Sequence, residues 1–193
     1  MVRAIIFDCY GVLVHDNYSM IKEKYLADDP TARAEFVDLN HRACKGELTG
    51  DEFLVKVSEL TGVPMSEIDE TFDHNYRNDE LLNFIARELK PRYKIGFLSN
   101  ASRDRITELF TPEQVELFDD VVLSYQVHLI KPDPEIYKLS TQRLGVQPEE
   151  CVFVDDLARY VEMAETLGMR GIWYQNFEQF RDELEKILER ASA

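Results

Sequence analysis

Side chains able to act as acids, nucleophiles or metal ligands stand directly behind several short apolar runs of the sequence. Taken singly, each is an ordinary turn or helix-cap residue, a role that Asp, Asn and Ser often fill. In an open parallel sheet, however, the carboxyl ends of the strands form one edge, and ligands bind there. Three acids, one cation and a hydroxyl meeting at that edge would be an improbable coincidence. The residues are Asp8, Ser99, Asn100, Lys131, Asp155 and Asp156.

The three acids predict a metal site. Neighbouring carboxylates repel one another, so their ionised forms are stable together only when a cation joins them. Hard oxygen ligands with open positions favour Mg²⁺, which keeps several waters and bridges to a substrate phosphate. Asp8 would place one oxygen on the metal and attack phosphorus with the other, while Lys131 neutralises charge and Ser99 donates to a phosphoryl oxygen. The predicted chemistry is covalent catalysis through an aspartyl phosphate.

Apolar, β-rich runs and helical stretches alternate along most of the chain. The runs are typical of buried strands, and the stretches between the later ones have helical spacing, including a final amphipathic helix from Phe177 onwards. This alternation predicts a doubly wound parallel α/β sheet, Rossmann-like, with right-handed crossovers. The predicted strands are Ala4 to Phe7, Ile95 to Leu98, Val121 to Leu123, Val152 to Val154 and Gly171 to Tyr174. The predicted helices between them are Arg103 to Phe110, Pro134 to Leu144 and Arg159 to Leu167.

The first and second strands are separated by far more chain than one crossover helix needs. Several helix-like segments fill that gap, and one begins with the capping-box pair Thr49 and Glu52. We therefore predict an inserted helical cap over residues 15–84, on a core formed by residues 1–14 and 85–193. Its aromatics, such as Phe36 and Phe72, are interpreted as core residues, so none is predicted to bind a ligand.

Four segments, in this order, resemble the motifs of the haloacid dehalogenase (HAD) superfamily. They run from Phe7 to Leu13, from Leu98 to Asn100, from Lys131 to Tyr137 and from Val152 to Asp156. The resemblance spans the predicted core and implies a hydrolase with a helical cap that acts on a small phosphorylated metabolite. It implies metal binding by Asp8, Asp155, Asp156 and the backbone carbonyl of Tyr10. It implies catalysis by Asp8, Tyr10, Ser99 and Lys131, and substrate binding by Ser99, Asn100 and Lys131.

Tyr10 departs from the phosphatases of that superfamily, which usually carry a second aspartate two residues after the nucleophile. A phenol with a pKa near 10 is a poor base at neutral pH, and losing a positioned acid/base typically slows a reaction about 10²- to 10⁴-fold. Esters with acidic leaving groups should then react best. Either His15 or Asp16 could supply the missing function, although a hinge or surface residue is the ordinary interpretation of that position.

Two other functions stay open. The Asp-x-Tyr-Gly start resembles metal-independent 2-haloacid dehalogenases, but those replace the paired acids of the last motif with serines, unlike Asp155 and Asp156. Without a metal, three clustered carboxylates would oppose a carboxylate substrate. The second alternative is a catalytically weak module that binds a phosphorylated ligand or a protein.

Composition excludes some partners. The 193 residues include 37 acidic against 22 basic ones, and a formal net charge of −15 would repel nucleic acid or an anionic membrane. The apolar run before Asp8 is too short for a signal-peptide core or a membrane span, so we expect a cytoplasmic protein. Three cysteines, an odd number, are expected to be reduced and structural.

Overall fold

A parallel sheet lies at the centre of the structure, a computed structural model that describes residues 1–73 and 76–192. Within those residues it has five strands: β1 (Ala4–Phe7), β2 (Lys94–Ser99), β3 (Asp120–Leu123), β4 (Cys151–Asp155) and β5 (Arg170–Trp173). All neighbouring strands pair in parallel, in the order β3-β2-β1-β4-β5. Each strand falls on a predicted apolar run, and the predicted α/β class is confirmed.

Both faces of the sheet are covered by apolar side chains. All four residues of β1 are buried, and they alternate between two apolar clusters. Ile5 and Phe7 belong to one cluster, whereas Ala4 and Ile6 belong to the other, as the two-residue period of a strand requires. Continuous apolar runs, rather than alternating ones, are therefore the appropriate sequence for these strands.

Helices cover the sheet and build the insertion. In chain order they are α1 (Tyr18–Tyr25), α2 (Pro30–Cys44), α3 (Gly50–Thr61), α4 (Met65–Asp73), α5 (Asp79–Phe84), α6 (Ile106–Leu109), α7 (Pro112–Val115), α8 (Ser124–Val127), α9 (Pro134–Leu144), α10 (Ala158–Thr166) and α11 (Phe177–Ser192). A π-helical segment, Ile85–Leu89, continues α5, and a 3-10 turn, Pro148–Glu150, precedes β4. In the part of the chain that the structure describes, no helix is long and apolar enough to cross a membrane.

The final helices confirm the sequence pattern, whereas one predicted helix is too long. α9 has its predicted bounds, and Phe180 and Leu184 of α11 are buried against the sheet. The prediction of a helix from Arg103 to Phe110 is wrong in its first half. Asp104 accepts a hydrogen bond from the backbone N–H of Ile106 (3.0 Å), and this local bond replaces the first helical turn, so α6 begins only at Ile106.

The insertion has an apolar core of its own. Helices α1 to α4 supply it, and the Phe36 ring stacks on Tyr18 with 4.8 Å between centroids. The predicted capping box at the start of α3 is present, because Thr49 accepts from the N–H of Glu52 while Glu52 accepts from that of Thr49. The insertion is thus a small helical bundle beside the sheet.

Two short linkers connect the bundle to the sheet. Val14 pairs with Arg77 in an antiparallel bridge, and the N–H of His15 donates to the carbonyl of Tyr76 (2.9 Å). The division into 1–14, 15–84 and 85–193 stays a prediction. Leu81 and Leu82 pack in the cluster of the sheet, which favours a boundary nearer residue 78. Residues 74, 75 and 193 of the predicted ranges lie outside the described residues.

Candidate active site

The register of the sheet brings the first and last motifs together. Phe7 of β1 pairs with Val154 of β4, so the residues that follow are Asp8 and Asp155. The N–H of Asp8 donates to the carbonyl of Val154 (2.9 Å), which extends the ladder by one residue. Both carboxylates therefore leave the sheet side by side, at the carboxyl edge where the sequence predicts a site.

Lys131 joins these two acids in a buried ion triad. Its Nζ lies 2.6 Å from Oδ1 of Asp8 and 2.6 Å from Oδ2 of Asp155, and its side chain is only 1% exposed. Burial lowers the pKa of the Lys131 ammonium, but Asp155 and Asp8 outweigh burial and raise this pKa above its usual range. Lys131 consequently stays charged. It neutralises one of the two buried carboxylates and leaves one negative charge in excess.

Asp156 completes a set of three carboxylates that suits a cation. Asp8, Asp155 and Asp156 each offer one oxygen, and these oxygens lie within 4.8 Å of one another. Burial, followed by repulsion from Asp155 and Asp16, raises the pKa of Asp156 to about 6. Burial also raises the pKa of Asp8; Lys131 opposes this effect, and Asp155 and Asp156 reinforce it. A hard divalent cation such as Mg²⁺ fits this donor set, since it would relieve the repulsion.

The two acids of the last motif differ in how many of their oxygens already accept hydrogen bonds from the protein. Asp155 accepts from Lys131 through one oxygen and from the N–H of Leu157 through the other (2.9 Å). Asp156 is half-buried and lines the main cavity, where its carboxyl packs closely against Gly11. This difference favours Asp156 as a direct metal ligand and Asp155 as the partner that holds Lys131.

Asn100 and Ser99 lie near the triad in different ways. The amide of Asn100 accepts from the N–H of Lys131 (2.8 Å) and donates to its carbonyl (3.1 Å), a two-bond clamp that sets the course of this loop. Asn100 also lines the cavity, so it has a positioning role for the Lys131 loop while its predicted contact with the substrate stays a prediction. Ser99 is 1% exposed, and its hydroxyl has no hydrogen-bond partner among the described residues. Ser99 is not part of the cavity wall, although an unpaired buried hydroxyl suits a phosphoryl oxygen.

Two tyrosines, Tyr10 and Tyr160, lie beside the triad and the cavity. Tyr10 lines the cavity, and burial raises the pKa of its phenol well beyond the usual range, so the side chain is neutral at physiological pH. Tyr160 accepts from the amide of Asn100 (3.3 Å), and its ring centroid lies 5.2 Å from Nζ of Lys131. Tyr160 therefore packs against Lys131 and contacts Asn100, the residue that holds the lysine loop.

A cavity of about 310 Å³ opens between the triad and the helical bundle. Asp8, Lys131 and Asp156 line its floor, and the bundle supplies polar and apolar walls. Sequence reasoning missed these bundle residues, which are Asn40, His41, Cys44, Phe53, Leu54 and Phe72. Phe53 and Phe72 also pack in the core of the bundle. Their helical spacing in the sequence therefore indicates burial, but it does not show that they also face the cavity.

His15 and Asp16 are neighbours in sequence but not in environment. The side chain of His15 is exposed and is not among the residues that line the cavity, whereas Asp16 lines it together with Asp8.

The cysteines Cys9, Cys44 and Cys151 are buried and free, as predicted.

The fold and this cluster define a class of hydrolase, and comparison with known proteins identifies the family. A model of the haloacid dehalogenase-like hydrolases matches residues 2–168, and the chain belongs to that family. It is similar to the D-ribitol-5-phosphate phosphatase of Bacteroides thetaiotaomicron, with 27% identity over 205 residues that cover 97% of this chain and 99% of that protein.

Two further relatives differ in what they share with the chain. It is 28% identical to acyl-CoA dehydrogenase family member 10 of Mus musculus, but it spans only 19% of the length of that protein. The fold also matches a HAD family enzyme of Bacteroides thetaiotaomicron crystallised with magnesium and inorganic phosphate. The TM-score is 0.72 at 24% identity, over 91% of this chain and 95% of the other.

Gly11 offers a test of the predicted metal site. Its φ is +92°, and a Cβ at this position would lie 2.4 Å from Cγ of Asp156, so Gly11→Ala should displace that carboxylate. We expect the Mg²⁺ concentration for half-maximal activity to rise about 10- to 100-fold, as when a ligand loses its orientation. A Mg²⁺ titration of the initial rate measures this.

Gly62→Ala is the matched control. Gly62 has a similar φ of +71°, but apart from its chain neighbours no atom of the described residues lies within 4 Å of the added methyl group. This variant should lose about 1 kcal/mol of stability through backbone strain alone and keep its Mg²⁺ requirement. An equal change in both variants would mean that strain, rather than contact with Asp156, causes the effect.

Proposed function

We propose that this chain is a magnesium-dependent phosphatase that hydrolyses a small phosphate ester through an aspartyl phosphate on Asp8. The observation that carries the proposal is the buried triad, in which Lys131 bridges Asp8 and Asp155 at 2.6 Å while Asp156 brings a third carboxylate to the same place. The magnesium- and phosphate-bound structural relative and the phosphatase relative support the same reaction.

The chain's own residues would carry out the reaction in two displacements. A carboxylate oxygen of Asp8 attacks phosphorus, the ester P–O bond breaks, and the leaving oxygen takes up a proton. Water then attacks the phosphorus of the aspartyl phosphate, loses a proton, and displaces the Asp8 carboxylate as inorganic phosphate forms. Lys131 stabilises negative charge on Asp8 and on the phosphoryl group throughout.

Mg²⁺ would be held by Asp8, Asp156 and the backbone carbonyl of Tyr10, with Asp155 beside them, and it would supply charge neutralisation for the phosphoryl oxygens. Ser99 would donate to one of those oxygens once the substrate is bound. The cavity of about 310 Å³ suits a small leaving group, which agrees with a phosphorylated metabolite as substrate.

Magnesium dependence tests the proposal directly. Phosphate release from an aryl phosphate and from a panel of sugar and sugar-alcohol phosphates should occur with Mg²⁺. It should fall at least about 100-fold in chelator, because a bound metal ion typically contributes several kcal/mol of charge stabilisation. A 100-fold loss of rate corresponds to about 2.7 kcal/mol. Excess Mg²⁺ should restore it. Asp156→Asn should raise the Mg²⁺ concentration needed, whereas the exposed Asp28→Asn should not.

Two outcomes would contradict the phosphatase. Halide release from 2-chloropropionate without metal would favour the dehalogenase that the Tyr10 motif resembles. No turnover in either assay, with tight binding of a phosphorylated ligand, would favour a binding module instead.

A further inference from the structure

The proposed reaction needs a proton at the leaving oxygen, and the first motif does not provide a donor of the usual kind. Tyr10 stands at the position where the phosphatases that the first motif resembles usually carry an aspartate, and burial keeps its phenol neutral. A phenol whose pKa is raised this far is a weak acid towards the leaving oxygen, and while it is neutral it cannot accept a proton from the attacking water near pH 7. Efficient transfer of both protons therefore needs another side chain in the cavity.

Asp16 is placed for this role. It lies in the linker between the first motif and α1, and it lines the same cavity as Asp8 and Lys131. One of its oxygens accepts from the backbone N–H of Tyr18 (2.8 Å), which fixes the orientation of the side chain. Among the hydrogen bonds of residues 1–73 and 76–192, the Asp16 carboxyl takes part through this oxygen, Oδ1, and leaves Oδ2 unused. A positioned carboxyl group with one unpaired oxygen is what a proton donor requires.

The hydrogen bond to Tyr18 also has a structural explanation. Asn17, the N-cap residue of α1, makes no side-chain capping bond, and Asp16 satisfies a donor at the start of the helix instead. A capping role uses only one oxygen, however. It does not require the side chain to lie in the cavity, where burial raises the pKa of Asp16 although the hydrogen bond from Tyr18 opposes this effect.

Two histidines lie near this position or in the cavity wall. The side chain of His15 is exposed and outside the cavity wall. His41 of α2 lies in the wall, but it is also exposed and projects from the bundle, whereas Asp16 lies eight residues after Asp8 in the same stretch of chain. Asp16 is thus the candidate tied most directly to the core.

We propose that Asp16 is the general acid and base of this site, in place of the residue at position 10. The inference rests on the proposed function. As the ester bond breaks, the Asp16 carboxyl gives its proton to the leaving oxygen. The resulting carboxylate then accepts a proton from the water that attacks the aspartyl phosphate, and this returns Asp16 to its starting state.

The test compares two leaving groups in Asp16→Asn. A simple alkyl phosphate needs protonation to leave, whereas p-nitrophenyl phosphate has an acidic leaving group and needs little. We expect single-turnover cleavage of the alkyl ester to fall about 10²- to 10⁴-fold, the usual contribution of a positioned acid. The ratio of the aryl to the alkyl rate should therefore rise at least about 100-fold. A merely structural loss would slow both esters alike and leave this ratio unchanged.

Three variants complete the experiment. His15→Gln and His41→Asn should leave the aryl-to-alkyl ratio at its wild-type value. Tyr10→Asp in the Asp16→Asn background should restore much of the alkyl rate, because it puts a carboxyl group at the position used by related enzymes. This rescue also shows that the double variant is folded.

The results separate this inference from the proposed function. A wild-type protein that releases phosphate with Mg²⁺ but keeps its ratio in Asp16→Asn overturns the role of Asp16 alone. A change of ratio in His41→Asn instead assigns the acid to His41. A wild-type protein that hydrolyses no ester overturns both proposals.

Discussion

Asp8→Asn should lower phosphate release by at least about 10⁴-fold with Mg²⁺ at saturation, since the proposed covalent step then has no nucleophile. An amide oxygen is neutral and weakly nucleophilic, yet the amide has almost the volume of the carboxyl group. Asp155 still pairs with Lys131 in the variant, so the site keeps most of its packing. Steady-state phosphate release and a search for phosphorylated protein after a rapid acid quench measure the effect.

Asp28→Asn is the control for this prediction, because Asp28 is an exposed residue outside the cavity and should keep wild-type rates. The melting temperature of Asp8→Asn should equal or exceed that of the wild type, since one of three mutually repelling acids is gone. Activity within tenfold of wild type in a folded Asp8→Asn protein would show that Asp8 is not the nucleophile.

Lys131→Met should be the most destabilising change in the site. The side chains are similar in length, but the variant leaves Asp8 and Asp155 buried beside each other without the cation that joins them. Breaking a buried ion pair by removing one partner typically costs about 3–5 kcal/mol. Urea unfolding in chelator should show a loss of this size, and activity should fall sharply because the charge that stabilises the phosphoryl group is also lost.

The controls for Lys131→Met use another lysine and a second substitution. Lys138→Met removes a surface pair with Glu135 (2.7 Å; lysine side chain 52% exposed), and such pairs contribute at most about 1 kcal/mol. Adding Asp155→Asn to Lys131→Met should recover part of the lost stability, because it removes one of the two unpaired charges. Equal stabilities for Lys131→Met and wild type would contradict a charged triad in the folded protein.

The strands were predictable because their sequence signal is local. In β1 every side chain is buried, so a continuous apolar run is required whatever the rest of the chain does. The first turn of the helix predicted from Arg103 to Phe110 was not predictable in this way. The N–H of Ile106 donates to the side chain of Asp104, and this single bond replaces that turn. Competition of this kind depends on rotamer geometry, which residue type alone does not determine.

Which residues of the inserted bundle line the cavity was likewise not predictable from local sequence. Amphipathic spacing predicts that Phe53 and Phe72 are buried, and both are packed in the bundle. That they also line the cavity follows from how the bundle sits on the sheet, which is a long-range property. Helical periodicity identifies an apolar face but not what it faces.

The sequence by itself determined the parallel sheet and the convergence of Asp8 with Asp155 and Asp156, because parallel strands must bring their carboxyl ends to one edge. Only the tertiary structure decided how the loops complete the site. The sequence also predicts Lys131 at this edge, but the two hydrogen bonds by which Asn100 holds its loop, 123 residues after Asp8, are visible only in the structure. The proposal of Asp16 rather than His15 likewise depends on the tertiary structure, since the side chain of His15 is exposed whereas Asp16 lines the cavity.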